Sequence, residues 1–177
     1  SAGAGVSGQR RRALVLHWRC TCWRRMEAGH GFQVIVFAGE LVITVGVFCG
    51  SALGVGEVYA KAAQEAARLL VERGCRVVYG GGKVGLMGVV AEAALAAGGH
   101  VTGVTTARLL EREVMHRGLS ELHSVATMHE RKSMMTRLAD AFLILPGGYG
   151  TLDELFEVLT LQQLGVHNKQ YGLLNVN

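Results

Sequence analysis

The stretch that decides the fold is "LILPGGYGTLDELFEVLT", residues 143–160. An apolar run stops at Pro146, the single proline of the chain, passes through Gly147, Gly148 and Gly150, and restarts as an acidic helix from about Thr151 to Leu164. A buried strand that ends in glycines and reopens as a helix is the repeating unit of a parallel α/β sheet. The same cycle recurs upstream. "LVITVGVF" (41–48) reads as a strand, and Glu57–Arg73 sets Val58, Ala62, Ala66 and Leu69 along one helical face before Gly74 ends it. Strand "CRVVY" (75–79), glycine loop "GGGKVGLMG" (80–88), helix "VVAEAALAA" (89–97) and strand "HVTGV" (100–104) follow. A third cycle comprises "ELHSVA" (121–126), helix "HERKSMMTRLAD" (129–140) and strand "AFLIL" (141–145), with "YGLLNV" (171–176) as the last strand. Strands alternating with helices imply right-handed crossovers and a Rossmann-like, doubly wound α/β fold, its mostly parallel sheet covered by helices on both faces. Ligands bind such sheets beyond the carboxyl ends of the strands, where the glycine loops gather.

Composition supports a globular chain: of 177 residues, 50% are hydrophobic and 18% charged, enough for a core of ordinary size. The formal charge of +4 comes from Arg10, Arg11, Arg12, Arg19, Arg24 and Arg25, so it says little about partners. Residues 1–41 are read as a basic extension with no fold assigned up to about residue 30. That composition suits an organelle transit peptide, or an upstream stretch preceding a start at Met26. A nucleic-acid arm is disfavoured because aromatics do not alternate with the arginines. The apolar stretch Val34–Cys49 is interrupted by Glu40 and too short for a membrane span; one or two buried strands fit it better. Cys20, Cys22, Cys49 and Cys75 read as reduced thiols of a cytoplasmic protein.

Several motifs exclude familiar chemistries. Gly80, Gly82 and Gly85 satisfy G-x-G-x-x-G, but Thr105 and Thr106 stand where a dinucleotide site needs an acid after the next strand. Lys83 is followed by Val84 where a P-loop needs Ser or Thr. What remains is glycine amides at helix N-termini, favourable to an anion, in the loop of Gly81 and Gly82 and again at Gly147–Thr151. Two such loops on one sheet edge suggest a nucleotide monophosphate or a sugar phosphate; two tight turns with well-capped helices are the alternative. The Thr151 hydroxyl can cap its helix or bond a phosphate oxygen. Asp153 and Glu154 either stabilise the helix dipole or, beside a phosphoribosyl group, an oxocarbenium-like transition state. Arg131 and Lys132 near a helix start ask for an anionic partner, with His129 as a protonatable neighbour. His116, His123 and His129 are spaced too loosely for a metal set.

Together, "VFCGS" (47–51), "VYGGGKVGLMG" (78–88), "MHERK" (128–132), "PGGYGTLDE" (146–154) and "QLGVHNK" (163–169) resemble the Lonely guy (LOG) family of cytokinin riboside 5′-monophosphate phosphoribohydrolases. The resemblance spans residues 42–177 and implies a Rossmann-like nucleotide-hydrolase domain without the family's closing helix. It implies hydrolysis of an N-glycosidic bond in a nucleoside 5′-monophosphate, either N6-prenylated AMP or AMP, and assembly as a homodimer or larger. No cofactor, metal, nucleic acid or membrane is called for. A non-catalytic nucleotide-binding or carrier protein on the same fold is the alternative. By position, the catalytic pair falls on Arg131 and Glu154. Phosphate and ribose contacts fall on Gly147, Gly148, Tyr149, Gly150, Thr151 and Asp153, and other substrate contacts on Glu113, Lys132, Thr160, Gly81 and Gly82. The chain departs from the family pattern at Gly103–Thr106 ("GVTT" for "GVIP"), at Gln170 after Lys169, and at Leu161 in place of tryptophan.

Overall fold

A computed structural model of the chain describes residues 23–27, 33–37, 42–112 and 115–176. Strands β1 (Trp23–Glu27) and β2 (Gln33–Phe37) form an antiparallel pair in register Trp23↔Phe37 to Glu27↔Gln33. The pair extends secondary structure into a segment that composition leaves without a fold. Val34–Cys49 thus divides into two strands of separate sheets, β2 and β3 (Thr44–Phe48). The reading of Cys20 and Cys22 lies outside the described residues.

The main body continues through α1 (Val58–Glu72), β4 (Arg76–Tyr79), α2 (Gly85–Ala96), β5 (Val101–Thr106) and α3 (Ala107–Arg112). It closes with β6 (Glu121–Val125), α4 (Met128–Leu138), β7 (Ala141–Ile144), α5 (Tyr149–Gln163) and β8 (Gln170–Leu173). Six strands form one sheet in the order β6-β5-β4-β3-β7-β8, and every neighbouring pair is parallel. The chain builds outward from β3 to β6, then returns to place β7 on the other side of β3. The order therefore reverses between β3 and β7, where a crevice opens above their carboxyl ends.

Both faces of the sheet are buried, which explains the nearly continuous apolar strands. On one face Val45, Val47, Val77, Tyr79 and Val101 pack against small residues of α1 and α2, among them Ala63, Ala67, Ala91 and Ala94. On the other, Phe48, Val78, Val104, Phe142 and Ile144 meet Met135 of α4 and Leu155 and Val158 of α5. Phe48 and Phe142 stack with ring centroids 5.4 Å apart and tie β3 to β7 at the crevice.

Helix α2 begins at Gly85, four residues before the start expected from the sequence. Glycines make poor helix interiors, so "GLMG" reads as loop; here close packing overrides propensity. Gly85 has φ +64°, a Cβ on it would lie 2.2 Å from the Ser51 carbonyl carbon, and Leu86 N–H donates to Gly50 O at 3.1 Å. The first turn of α2 is thereby seated against the loop after β3. Among the described residues, no helix is long and apolar enough to cross a membrane.

Candidate active site

Three loops meet above the switch point. Gly50 N–H, after β3, donates to Pro146 O, after β7, at 3.1 Å, while α2 abuts the same Gly50–Ser51 segment. Pro146, the last residue before the double glycine, thus contributes its carbonyl to joining the two central strands beyond their ends. Gly147 is required by what lies beneath it: a Cβ there would come 2.0 Å from Thr151 Oγ1, and Thr151 is buried.

Helix α5 opens at Gly148 with no side-chain cap. Of the two roles open to Thr151, capping the helix is ruled out, since Thr151 already lies inside the first turn, tucked under Gly147. The first amides of a helix have no intrahelical acceptor, so this uncapped end presents N–H groups and the positive end of the dipole to the crevice. Helix α4 differs: Thr127 Oγ1 accepts from Glu130 N–H at 3.1 Å, and the Glu130 carboxylate accepts from Ala126 N–H at 3.1 Å. That box starts the helix so that the two residues after it, Arg131 and Lys132, face α5.

Arg131 is held by three bonds to oxygen. Its Nε donates to Val104 O at 2.8 Å, its Nη2 to Gly80 O at 3.3 Å, and its Nη1 to Glu154 Oε1 at 3.3 Å. Two of these acceptors are backbone carbonyls, one within β5 and one directly after β4, so the sheet itself fixes the guanidinium plane. Gly80 is a space requirement as well as an acceptor, because a Cβ there would lie 2.2 Å from Nη2.

The Arg131 and Glu154 side chains are only 8% and 12% exposed. Burial pushes the Glu154 carboxyl up to about 7; Arg131 opposes that shift and Asp153 adds to it. Burial and the Glu154 charge push the Cys49 thiol up to about 12, so Cys49 stays neutral. Cys49 and Cys75 are both free and buried. Lys132 Nζ lies 2.5 Å from Glu157 Oε2 and 2.9 Å from Asp153 Oδ2. The anionic partners that Arg131 and Lys132 call for are therefore supplied by α5. Glu157 bears no motif signal; only its spacing of four from Asp153 on one helix points to it.

The remaining expected residues fall as follows. Gly81, with φ +79°, accepts from His116 N–H at 3.1 Å through its carbonyl, and Gly82 O accepts from the buried Tyr79 hydroxyl at 3.2 Å, so both shape the loop after β4. Tyr149 and Gly150 form the first turn of α5, with the Tyr149 ring 93% exposed. Thr160 is not brought to the site: its hydroxyl donates to Phe156 O at 2.7 Å, on an exposed stretch of α5 nine residues beyond Thr151. Glu113 lies outside the described residues. His129 is exposed, and among the described residues no group of three or more His, Cys, Asp or Glu is placed to hold a metal ion.

An all-parallel sheet with glycine-opened helices at its switch point defines a Rossmann-like α/β protein. Solved structures agree on the fold: the molybdenum cofactor binding protein of Rippkaea orientalis has a TM-score of 0.62 at 20% identity, covering 76% of this chain and 77% of that one. The molybdenum cofactor carrier protein of Chlamydomonas reinhardtii has a TM-score of 0.63 at 18% identity, covering 75% and 76%. A family model described as "Possible lysine decarboxylase" matches residues 87–177. Over 131 residues, 74% of the chain, it is 54% identical to the cytokinin riboside 5′-monophosphate phosphoribohydrolase LOG of Oryza sativa subsp. japonica, and 51% identical to LOG5 of Arabidopsis thaliana. The chain belongs to this family, alongside its LOG relatives. It spans 54% and 58% of those two relatives, about half their length. The chemistry suggested by the family model's description finds no support at Lys132. A pyridoxal-binding lysine needs a free, readily deprotonated amine, whereas Glu157 and Asp153 raise the Lys132 pKa.

The raised Glu154 pKa has a measurable consequence for stability. The native state holds the Glu154 proton up to about pH 7, while the unfolded chain releases it near 4.5. Folding is therefore favoured below 4.5 and loses that contribution as pH rises through 7. Glu154→Gln removes this dependence. Urea unfolding of the two proteins should give a stability difference that moves in favour of the variant by about 3 kcal/mol between pH 4.5 and 7.5; a constant difference would place the carboxyl in an ordinary environment.

Proposed function

We propose that residues 42–177 form a phosphoribohydrolase domain that converts a cytokinin riboside 5′-monophosphate, an N6-substituted AMP, and water into free base and ribose 5-phosphate. The observation that carries this reading is the buried Arg131–Glu154 pair, whose carboxylate stands in the second turn of α5, close behind its uncapped start. The α5 amides and Thr151 suit the 5′-phosphate. A phosphate held there sets the ribose within reach of Glu154, three residues further along the same helix.

Cleavage of the C1′–N9 bond leaves its electron pair on the purine and positive charge on the ribose. The Glu154 carboxylate faces the oxocarbenium-like centre and takes the proton from the attacking water. Arg131, permanently charged and fixed by carbonyls, stabilises the negative charge developing on the leaving base; the base takes up a proton from solvent as it departs, and Glu154 releases to solvent the proton it took from the attacking water. Gly147–Gly150 and Asp153 line the phosphoribosyl part, with the Gly81–Gly82 loop opposite; Lys132 acts through α5. The free thiols of Cys49 and Cys75 suit the reducing cytoplasm.

Chromatography should detect free base from N6-isopentenyladenosine 5′-monophosphate, with kcat/KM rising tenfold per pH unit up to about 7 and then levelling, as Glu154 ionises. Glu154→Ala should abolish turnover while retaining ligand. Binding without turnover in the unaltered protein would mean a nucleotide carrier instead, and neither binding nor turnover would sink both readings.

The self-association expected of the chain gains support from α5. Tyr149, Leu152 and Phe156 are exposed at spacings of three and four along its solvent side, and Phe156 is 60% exposed. Such a row suits a second copy set against the site. Light scattering should give twice the chain mass, and Phe156→Glu should halve it; a monomer in the unaltered protein would contradict this.

A further inference from the structure

We propose that Glu157 is a positioning residue: through Lys132 it fixes the seam between α4 and α5 on which Arg131 meets Glu154. The proposal rests on the phosphoribohydrolase reading of the same site. Helix α4 offers Arg131 and Lys132 in succession, and α5 answers with Asp153, Glu154 and Glu157. Asp153 and Glu157 are four residues apart and share one side of α5, so Lys132 Nζ spans a full helical turn between them. The two anchors are unequal. Lys132 and Glu157 are 19% and 21% exposed at 2.5 Å, whereas Asp153 is 61% exposed at 2.9 Å. Solvent screens the hydrogen bond to Asp153, leaving the less exposed ion pair with Glu157 as the stronger electrostatic anchor. Arg131 is the residue next to Lys132, so whatever fixes Lys132 against α5 also limits how far Arg131 Nη1 can move from Glu154.

The seam also carries one carboxylate more than its cations, since three acids face two bases. Glu154 is faced by Arg131 and Lys132 from α4, by Asp153 from its own helix and by the neutral Cys49 thiol after β3. Lys132 helps keep Glu154 ionised, and Glu157 draws on the same ammonium. Neutralising Glu157 leaves more of the Lys132 charge acting on Glu154, while neutralising Lys132 removes it. The two changes must therefore move the Glu154 titration in opposite directions, which loss of packing alone does not do.

Carbon-13 NMR of the Glu154 carboxyl in the full chain, assigned by its disappearance in Glu154→Gln, tests this without relying on turnover. Glu157→Gln should lower the titration midpoint by about half a pH unit and Lys132→Met should raise it by at least as much. On the prenylated monophosphate, kcat of Glu157→Gln should fall about tenfold with KM changed less than about twofold. Glu157→Asp, which keeps the charge but shortens its reach, should lower kcat with the midpoint unmoved, and with Lys132→Met it carries the test if Glu157→Gln does not fold. Midpoints that stay put or move together, or an unchanged kcat in Glu157→Gln, overturn the proposal. If the unaltered protein releases no base, the phosphoribohydrolase reading fails by itself, because the titrations still report whether Glu157 governs the seam.

Discussion

The site depends on one buried guanidinium. Arg131 gives two of its donors to backbone carbonyls, Val104 O and Gly80 O, and so belongs mechanically to the sheet. A cation taken this far out of water is tolerable only when its donors are matched, and breaking such a pair leaves an uncompensated charge. The surrounding sequence answers that demand. Gly80 lacks a side chain because Nη2 occupies its place, β5 directs Val104 O at Nε, and Glu154 supplies the counter-charge from α5.

The same arrangement gives Glu154 its character. Burial acts against its charge and Arg131 acts for it, and the balance leaves the carboxyl near 7, where a group can exchange protons at neutral pH. At 3.3 Å the contact with Arg131 is longer than a tight charge-assisted bond, so neither group is wholly consumed by the other. Glycines do the spatial work around the pair. Gly147 admits Thr151 beneath the loop, and Gly85 lets α2 close on the strand ends.

The architecture was legible because its signals are local. Alternating apolar strands and amphipathic helices predict the parallel sheet, and the break at Pro146–Gly148 predicts where its ligand edge lies. The start of α2 was hidden since Gly85 and Gly88 argue against helix, and only contact with Ser51 explains them. The short α3 was missed as well: its support, Thr106 Oγ1 accepting from Leu109 N–H, is one hydrogen bond in a run too short for periodicity. At the site, Arg131 and Glu154 stand out through their motifs, but Gly80 and Val104 act as carbonyls and a missing Cβ, properties that no residue type announces at separations of 51 and 27 positions. Thr160 shows the converse: a residue carried over by resemblance that lies on an exposed stretch of its helix.

The hydrolase chemistry depends on where the phosphate and the anomeric carbon sit. A crystal structure of Glu154→Gln with N6-isopentenyladenosine 5′-monophosphate tests that directly. The predicted result has the phosphate on the amides of Gly148–Thr151, C1′ facing residue 154 across a water molecule, and the purine against the Arg131 guanidinium. A phosphate bound elsewhere, or a glycosidic bond turned away from residues 131 and 154, would contradict it.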